Sequence, residues 1–563
     1  MTPAAGRPPT RQVGVTAGLS PVELIAAYAM GVLFVGTGWM WATAQLSTFV
    51  TSGGWLPLRL SESAPITLEI WQEVGSPASV FPTDVADRVA GPLVFWSTAV
   101  LLLAAVLTPV VWWIGRQTRG GGEDKDARWA TARDLKPIVV PHPTPGRLTL
   151  GEGPGKRLVA TEPGHSLLVL GPTQSGKTSG LAIPAILEWP GPVVATSVKG
   201  DLLKDTFAAR RERGEVWVYD PSASVTGIDR SAWTPLAGCD TWRGALRTAA
   251  WMAQAARDRQ LGENDFWSAN AAKLLAPLLF AAQAAELTIS DVVRWVDVQD
   301  TGDVALLLKL TGNEAALAAA TASWKRDART KSSVYTTAET VLAAYADPQV
   351  AASAETCDID TARLLDGGGH TLYVSAPMHE QTRLRPLFTT LVQTVLAGAY
   401  EKAAAKGRLD PPLLLVLDEA ANIAPLRDLA QIASTAAGLG IQLVTVWQDR
   451  AQIVHRYGDA ADTVVNNHRA KLLLSGITDS KTTTELAQLI GETNVTRRST
   501  TVDADGRTSA THGTHNQPLT SAAGLRQLRP FEGVLIYGHL PPARIRLRPW
   551  FQQVRRRRRW QGA

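Results

Sequence analysis

Gly171-Pro172-Thr173-Gln174-Ser175-Gly176-Lys177-Thr178 places two glycines, a lysine and a hydroxyl at the spacing G-x-x-x-x-G-K-[ST]. In a loop of this kind, backbone N–H groups curl around a β-phosphate. Lys177 supplies a point charge for β/γ-phosphate oxygens, and Thr178 offers a hydroxyl to Mg²⁺. The flanking residues suit that chemistry. Residues 165–170 (HSLLVL) form a short apolar run that predicts a buried strand. Residues 179–188 (SGLAIPAILE) predict a helix whose positive N-terminus faces the phosphates. The eight residues from Gly171 to Thr178 are therefore the candidate nucleotide-binding set, with ATP and Mg²⁺ as expected ligands.

A second set lies far downstream. Residues 413–417 (LLLVL) run straight into Asp418-Glu419. A buried strand that ends in two acids can hold Mg²⁺ through Asp418 and polarise an attacking water through Glu419. Many strands end in acidic residues, so this pair gains its meaning from the upstream loop. Gln448 follows another apolar run, 441–447, and an amide at such a strand end can report the γ-phosphate state. Lys199 and Asp201 follow a further run and line either the nucleotide pocket or a subunit face.

These residues need a sheet whose strand ends converge. The runs 192–197, 216–219, 371–375, 413–417, 441–447 and 471–475 are short and rich in aliphatic and β-branched residues, as strands buried on both faces require. They alternate with helical patterns, which predicts an α/β fold with a mainly parallel sheet. Residues 266–352 are Ala- and Leu-rich with helical periodicity and predict an all-helical insertion. Residues 500–521 are polar and predict a mobile surface loop. Two final strands are expected at 533–540 and 544–548. The chain closes with Arg555–Arg559, a basic run of the kind that stays solvated or meets phosphates.

The 563 residues allow several domains. Hydrophobic residues make up 45% and charged residues 19%, an apolar balance that suggests membrane segments. The net charge of +5 is compatible with a nucleic-acid partner. Cys239 and Cys357 stand far apart with no CxxC spacing, which argues against a disulfide framework or a structural zinc site. Two uncharged stretches, 24–46 and 89–115, are each long enough to span a bilayer. Trp39, Trp41, Trp112 and Trp113 sit where interfacial aromatics would help. Arg7 and Arg11 precede the first stretch, and Arg116, Arg119, Lys125 and Arg128 follow the second. By the positive-inside rule, both chain ends are then cytoplasmic. The expected organisation is a tail (1–23), a transmembrane hairpin (24–116) with an outward loop (47–88), and a linker (117–164) that includes the polar stretch 120–126. A first ATPase segment (165–263), the helical insertion (264–355), a second ATPase segment (356–550) and a basic tail (551–563) complete it.

Together these pieces resemble the type IV secretion coupling proteins, the TraD/TraG-like conjugation ATPases. The resemblance covers nearly the whole chain. It rests on the hairpin, Ala127-Arg128-Trp129-Ala130-Thr131, GPTQSGKT at 171–178, SVKGDL at 197–202 and LLLVLDEAANIAPL at 413–426. Trp447-Gln448-Asp449, Asn466-Asn467-His468-Arg469 and Leu547-Arg548-Pro549-Trp550 complete it. The resemblance implies a RecA-like nucleotide-binding domain plus an all-α domain, assembled as a homo-hexamer at the bacterial inner membrane. It implies relaxase-bound single-stranded DNA and the secretion channel as partners. By motif, Lys177 and Thr178 serve nucleotide and Mg²⁺, Asp418 the metal, Glu419 the water, and Gln448 the coupling.

One departure stands out. Some members carry an arginine about one turn before the glutamine-ending strand, acting on a neighbour's γ-phosphate. Residues 434–440 (STAAGLG) contain none, and Arg469 is the candidate replacement. Two other readings share the motifs. One is an FtsK-type double-stranded DNA translocase, which normally carries more spans and a C-terminal winged helix. The other is an ATP-binding receptor that recruits protein cargo and hydrolyses little.

Overall fold

Short aliphatic runs become the parallel half of one twelve-stranded sheet. The computed structural model describes residues 21–118, 126–198, 200–256, 263–502 and 508–553. Lys199, Arg555–Arg559 and most of the tail 1–23 and of the polar stretch 120–126 lie outside the described residues. The chain forms two compact units, Met1–Lys125 and Asp126–Ala563.

In the larger unit the strands are β1 (Val139–Val140), β2 (Thr149–Glu152), β3 (Leu158–Ala160), β4 (Leu167–Leu170), β5 (Val193–Ser197) and β6 (Val216–Tyr219). β7 (Thr371–Ser375), β8 (Leu413–Leu417), β9 (Ile441–Trp447) and β10 (Ala470–Leu474) follow. β11 (Glu492–Val502), β12 (Thr508–Pro518), β13 (Glu532–Tyr537) and β14 (Ala543–Arg546) complete the set. The sheet order is β1-β3-β2-β14-β13-β10-β4-β9-β8-β5-β7-β6. From β10 to β6 every neighbouring pair is parallel. The parallel strands are buried on both faces, so they read as unbroken apolar runs. From β13 outward the pairing turns antiparallel. β1 to β3 were not expected; two to four residues long and interrupted by glycine and proline, they carry little periodicity.

Of the predicted loop at 500–521, residues 500–502 and 508–518 are instead strand, in an antiparallel ribbon. β11 and β12 pair from Glu492↔Pro518 to Val502↔Thr508. Thr493, Val495, Thr496, Thr500, Thr501 and Val502 are β-branched and favour extended backbone. The ribbon is a separate two-stranded sheet. Its sequences, ETNVTRRSTTV and TSATHGTHNQP, are largely polar and show no apolar alternation by which a strand is recognised.

Between β6 and β7 the chain is helical, from Trp242–Ala255 through Glu263–Ala284, Ile289–Asp297 and Ala328–Leu342 to Thr361–Leu364. The run begins earlier than the predicted insertion. Its turns carry N-terminal caps: Thr288 and Asp291 form a capping box, and Asn313 and Asp327 each accept a backbone N–H. Leu274, Leu278, Trp295 and Val334 are among its buried side chains.

In the smaller unit, helices Pro21–Ser52 and Pro92–Thr118 pack along each other. Among the described residues one segment, Pro92–Val110, is long and apolar enough to cross a membrane, and little of it is buried. The segment between the helices folds on Met40, Ile66, Ile70, Phe81 and Phe95. The Gln45 side-chain amide pairs with Leu56 in both directions, donating to its carbonyl at 2.9 Å and accepting its N–H at 3.0 Å.

Arg210, fully buried, fastens the sheet at the approach to β5 and β7. Its Nε donates to Thr371 Oγ1 at 2.7 Å, and Nη2 donates to the carbonyls of Gly191 (2.8 Å) and Gly369 (2.9 Å). Nη1 donates to the Trp189 carbonyl. Burial pulls its pKa down to about 10, still a cation at neutral pH. Arg210→Met leaves these buried acceptors unpaired and is expected to cost about 3 kcal/mol. Scanning fluorimetry checks this; an unchanged melting temperature would show that the acceptors find other partners.

Candidate functional site

The parallel register brings four strand ends to one level. Leu170 pairs with Trp447, Leu417 with Thr445, and Thr196 with Leu417. The phosphate-loop candidate, Asp418-Glu419, Gln448 and Val198 therefore all leave the sheet on the same edge, where ligands of open α/β sheets bind. Gly171 N–H donates to the Trp447 carbonyl at 3.1 Å, fixing the start of the loop.

The loop then makes a tight turn. Gln174 has φ +64° and Gly176 φ +91°. A Cβ on Gly176 would lie 2.6 Å from the Phe531 ring, so position 176 requires glycine on two grounds. The helix behind the loop opens on a wide turn, Thr178–Ala182, in which Ile183 N–H donates to the Thr178 carbonyl five residues back. Wide turns of this type gather at functional sites. An α-helix, Ile183–Glu188, continues it, matching the predicted helix in place.

Lys177 is 8% exposed, and its Nζ donates to the carbonyls of Gly171 (2.6 Å) and Pro172 (2.7 Å). Thr178 Oγ1 donates to Asp418 Oδ2 at 3.2 Å. The backbone carbonyl of Asp418 in turn accepts from Thr196 Oγ1 at 3.0 Å. Glu419 sits at φ +60°, a left-handed conformation rare for a residue with a side chain. Gln448 Nε2 donates to Glu419 Oε1 at 2.9 Å. Glu419 Oε2 is buried with no hydrogen-bond partner among the described residues. The Gln448 N–H donates to Gln452 Oε1 at 3.0 Å, and Gln452 N–H donates to Asp449 Oδ1 at 2.9 Å. The glutamine is thereby tied to the helix that follows it, Arg450–Tyr457.

A cleft of about 300 Å³ gathers Thr173, Gln174, Gly176, Lys177, Thr178, Asp418, Glu419 and Gln448. Gly171, Pro172 and Ser175 do not line it and form the back of the loop. Asp201 lines it as well. Asp205 and Met378 line it without having been anticipated. Burial, then the neighbouring Asp201 charge, raises the Asp205 pKa. Asp205 stands one helical turn after Asp201, the i, i+4 spacing that could have flagged it. Hydroxyl and carboxylate oxygens at Thr178 and Asp418 make a donor set suited to Mg²⁺, and the orphaned Glu419 oxygen is free to accept from a water.

Arg469 lies elsewhere. It precedes β10, whose Ala470 pairs with Leu167 at the opposite end of β4 from the loop. That end is roughly 15 Å along the strands from the cleft.

His468, fully buried, supports β9 from behind. Its Nδ1 donates to the Val464 carbonyl at 2.7 Å, so Nε2 is the acceptor for Thr445 Oγ1 at 3.1 Å. Trp447 Nε1 donates to the same Thr445 oxygen at 3.0 Å. The strand that carries Gln448 thus hangs on a neutral imidazole.

A glycine-rich loop between a strand and a helix, facing an acidic strand end across a parallel sheet, belongs to an α/β fold of the ATPase kind. The chain belongs to the type IV secretory system conjugative DNA transfer family, whose profile matches residues 128–560. A conjugal transfer protein TraG of Escherichia coli is 25% identical over 63% of this chain and 60% of its own length. Protein VirD4 of Rhizobium radiobacter is 24% identical over 70% of this chain and 59% of its own length. The chain thus spans less than two thirds of either relative. Among solved structures, the bacterial conjugative coupling protein TrwB superposes with a TM-score of 0.59 at 19% identity, covering 76% of this chain and 95% of that one. TrwB has also been solved with ADP and Mg²⁺.

Burial pushes the His468 pKa down to about 4. The unfolded chain binds this proton near pH 6.5 and the folded chain only near 4. Stability is therefore expected to fall as pH drops from about 6.5 to about 4. His468→Gln should flatten that part of the profile, measured as melting temperature against pH. An unaltered slope in the variant would assign the loss to other groups.

Proposed function

We propose that this chain is the ATP-driven coupling protein of a conjugative type IV secretion system, receiving relaxase-bound single-stranded DNA and driving it towards the secretion channel. The observation that carries this reading is the meeting of Thr178 with Asp418, and of Glu419 with Gln448, on one sheet edge. Family membership and the TrwB–ADP–Mg²⁺ complex support it.

In this reading the loop Gly171–Thr178 wraps the phosphates of ATP with backbone N–H groups. Lys177 exchanges its two loop carbonyls for β/γ-phosphate oxygens. Thr178 and Asp418 hold Mg²⁺, which when bound neutralises charge on those oxygens. Glu419 turns its unpartnered oxygen to the attacking water, and Gln448, released from Glu419, reads the γ-phosphate. Its link to the helix Arg450–Tyr457 passes that reading outward.

The smaller unit is the membrane anchor, with helices Pro21–Ser52 and Pro92–Thr118 as a two-span hairpin and both chain ends in the cytoplasm. The remaining divisions follow the ranges given above, with helices Glu263–Ala284 to Pro348–Ala352 as the all-α module. The working form is a homo-hexamer. The helix Leu429–Leu439 has no arginine. Arg469 stands at the far end of β4 from its own cleft, so a finger at Arg469 would act on a neighbouring subunit.

Hydrolysis by the full chain in detergent, with and without single-stranded DNA, tests the proposal. DNA should stimulate turnover, and Lys177→Ala should abolish it. Glu419→Gln should keep nucleotide binding while losing about 10²–10⁴ in rate. Nucleotide binding without stimulated turnover would favour the recruitment receptor, and stimulation by duplex alone the double-stranded translocase.

A further inference from the structure

A second concave site lies beside the cleft's output elements. About 460 Å³ in volume, it is lined by side chains from four segments. Arg427 and Asp428 come from the stretch that leaves Asp418-Glu419. Arg456 and Tyr457 end the helix that follows Gln448. Trp251 belongs to helix Trp242–Ala255, and Thr389 with Gln393 to helix Gln381–Lys406.

The chemistry of the lining is specific. Two guanidinium groups favour a phosphate. An indole and a phenol ring stand in the wall, the Trp251 ring with the Arg247 guanidinium 5.2 Å from its centroid, and aromatic side chains of this kind stack on planar bases. Gln393 and Asp428 add donor and acceptor positions of the kind that read base edges. A carboxylate in the wall disfavours an acidic peptide or a bare phosphate, whereas a nucleobase carries donors as well as acceptors. One further observation marks a built site. Thr389 is 5% exposed, lines the cavity, and its Oγ1 has no hydrogen-bond partner among the described residues. A helical threonine ordinarily caps a carbonyl one turn back, as Thr390 does with Pro386 at 2.6 Å.

The walls also connect to the nucleotide cleft. Tyr457 Oη donates to the Leu426 carbonyl at 2.9 Å, joining the stretch after Glu419 to the helix after Gln448. The Tyr457 ring meets the Trp447 ring edge-on at 6.0 Å, one residue from Gln448.

We propose that this cavity binds one nucleotide unit of single-stranded nucleic acid, its base between Trp251 and Tyr457 and its phosphate at Arg427 and Arg456, so that strand occupancy and nucleotide state bias the same two segments. The proposal rests on the DNA-translocase reading and locates a strand contact within it.

The test uses the full chain in detergent and a thirty-nucleotide oligothymidine with 4-thiothymidine at one position. Photocrosslinks should map to Trp251 or Tyr457. Arg427→Gln should weaken oligonucleotide binding about tenfold by anisotropy and reduce the log–log salt slope by about 0.7. Thr389→Val, a nearly isosteric change, should weaken it less while leaving the melting temperature unchanged. ATP-analogue binding should be the same in both variants. Tight binding with crosslinks elsewhere and no loss in Arg427→Gln would overturn this site and leave the translocase reading standing. No oligonucleotide binding by the wild-type chain, with nucleotide binding intact, would overturn both. Loss of acidic-peptide binding in these variants, with oligonucleotide binding unaltered, would overturn the proposal and reassign the cavity to a protein partner.

Discussion

Thr178 and Asp418 are 240 residues apart in the chain and share a hydrogen bond of 3.2 Å. That contact is possible only because β4, β9 and β8 are parallel neighbours in fixed register. A slip by one residue on any of them would turn every side chain to the other face and separate the hydroxyl from the carboxylate. The apolar runs that make these strands thus also set the geometry of the chemistry. The helices from Trp242 to Leu364 form a long excursion that the sheet absorbs without disturbing the edge where loop, acids and glutamine meet.

A second consequence of that edge is coupling. Glu419 is held twice, by its own left-handed backbone and by Gln448. Gln448 is held in turn by Gln452, and its strand by the buried Thr445–His468 pair. Any group that competes for Glu419 or Gln448 must therefore act on the helix after β9 and on the stretch after β8 together. Both segments wall the larger neighbouring cavity.

Much of this was legible in the residues, for physical reasons. Doubly buried parallel strands announce themselves as unbroken runs of Leu, Val and Ile. A phosphate loop needs glycine where Gly176 stands, since both φ and the Phe531 ring forbid a side chain. The misses share another logic. β11 and β12 are polar in sequence with no apolar alternation, so their threonines read as loop. The edge strands β1 to β3 are too short to show a period. Asp205 and Met378 reach the cleft from helical segments whose orientation only tertiary packing decides. The Thr445–His468 support was hidden because a lone buried histidine has no sequence pattern.

Hydrogen exchange on the full chain most directly tests the claim that one wired edge reads the nucleotide. ADP and a non-hydrolysable ATP analogue would be compared at saturation, each with Mg²⁺. The stretch after Glu419 (420–428) and the segment after Gln448 (449–457) should change protection together between the two states. Gln448→Ala should abolish the difference in both. A response confined to one segment, or identical protection with the two nucleotides, would contradict it.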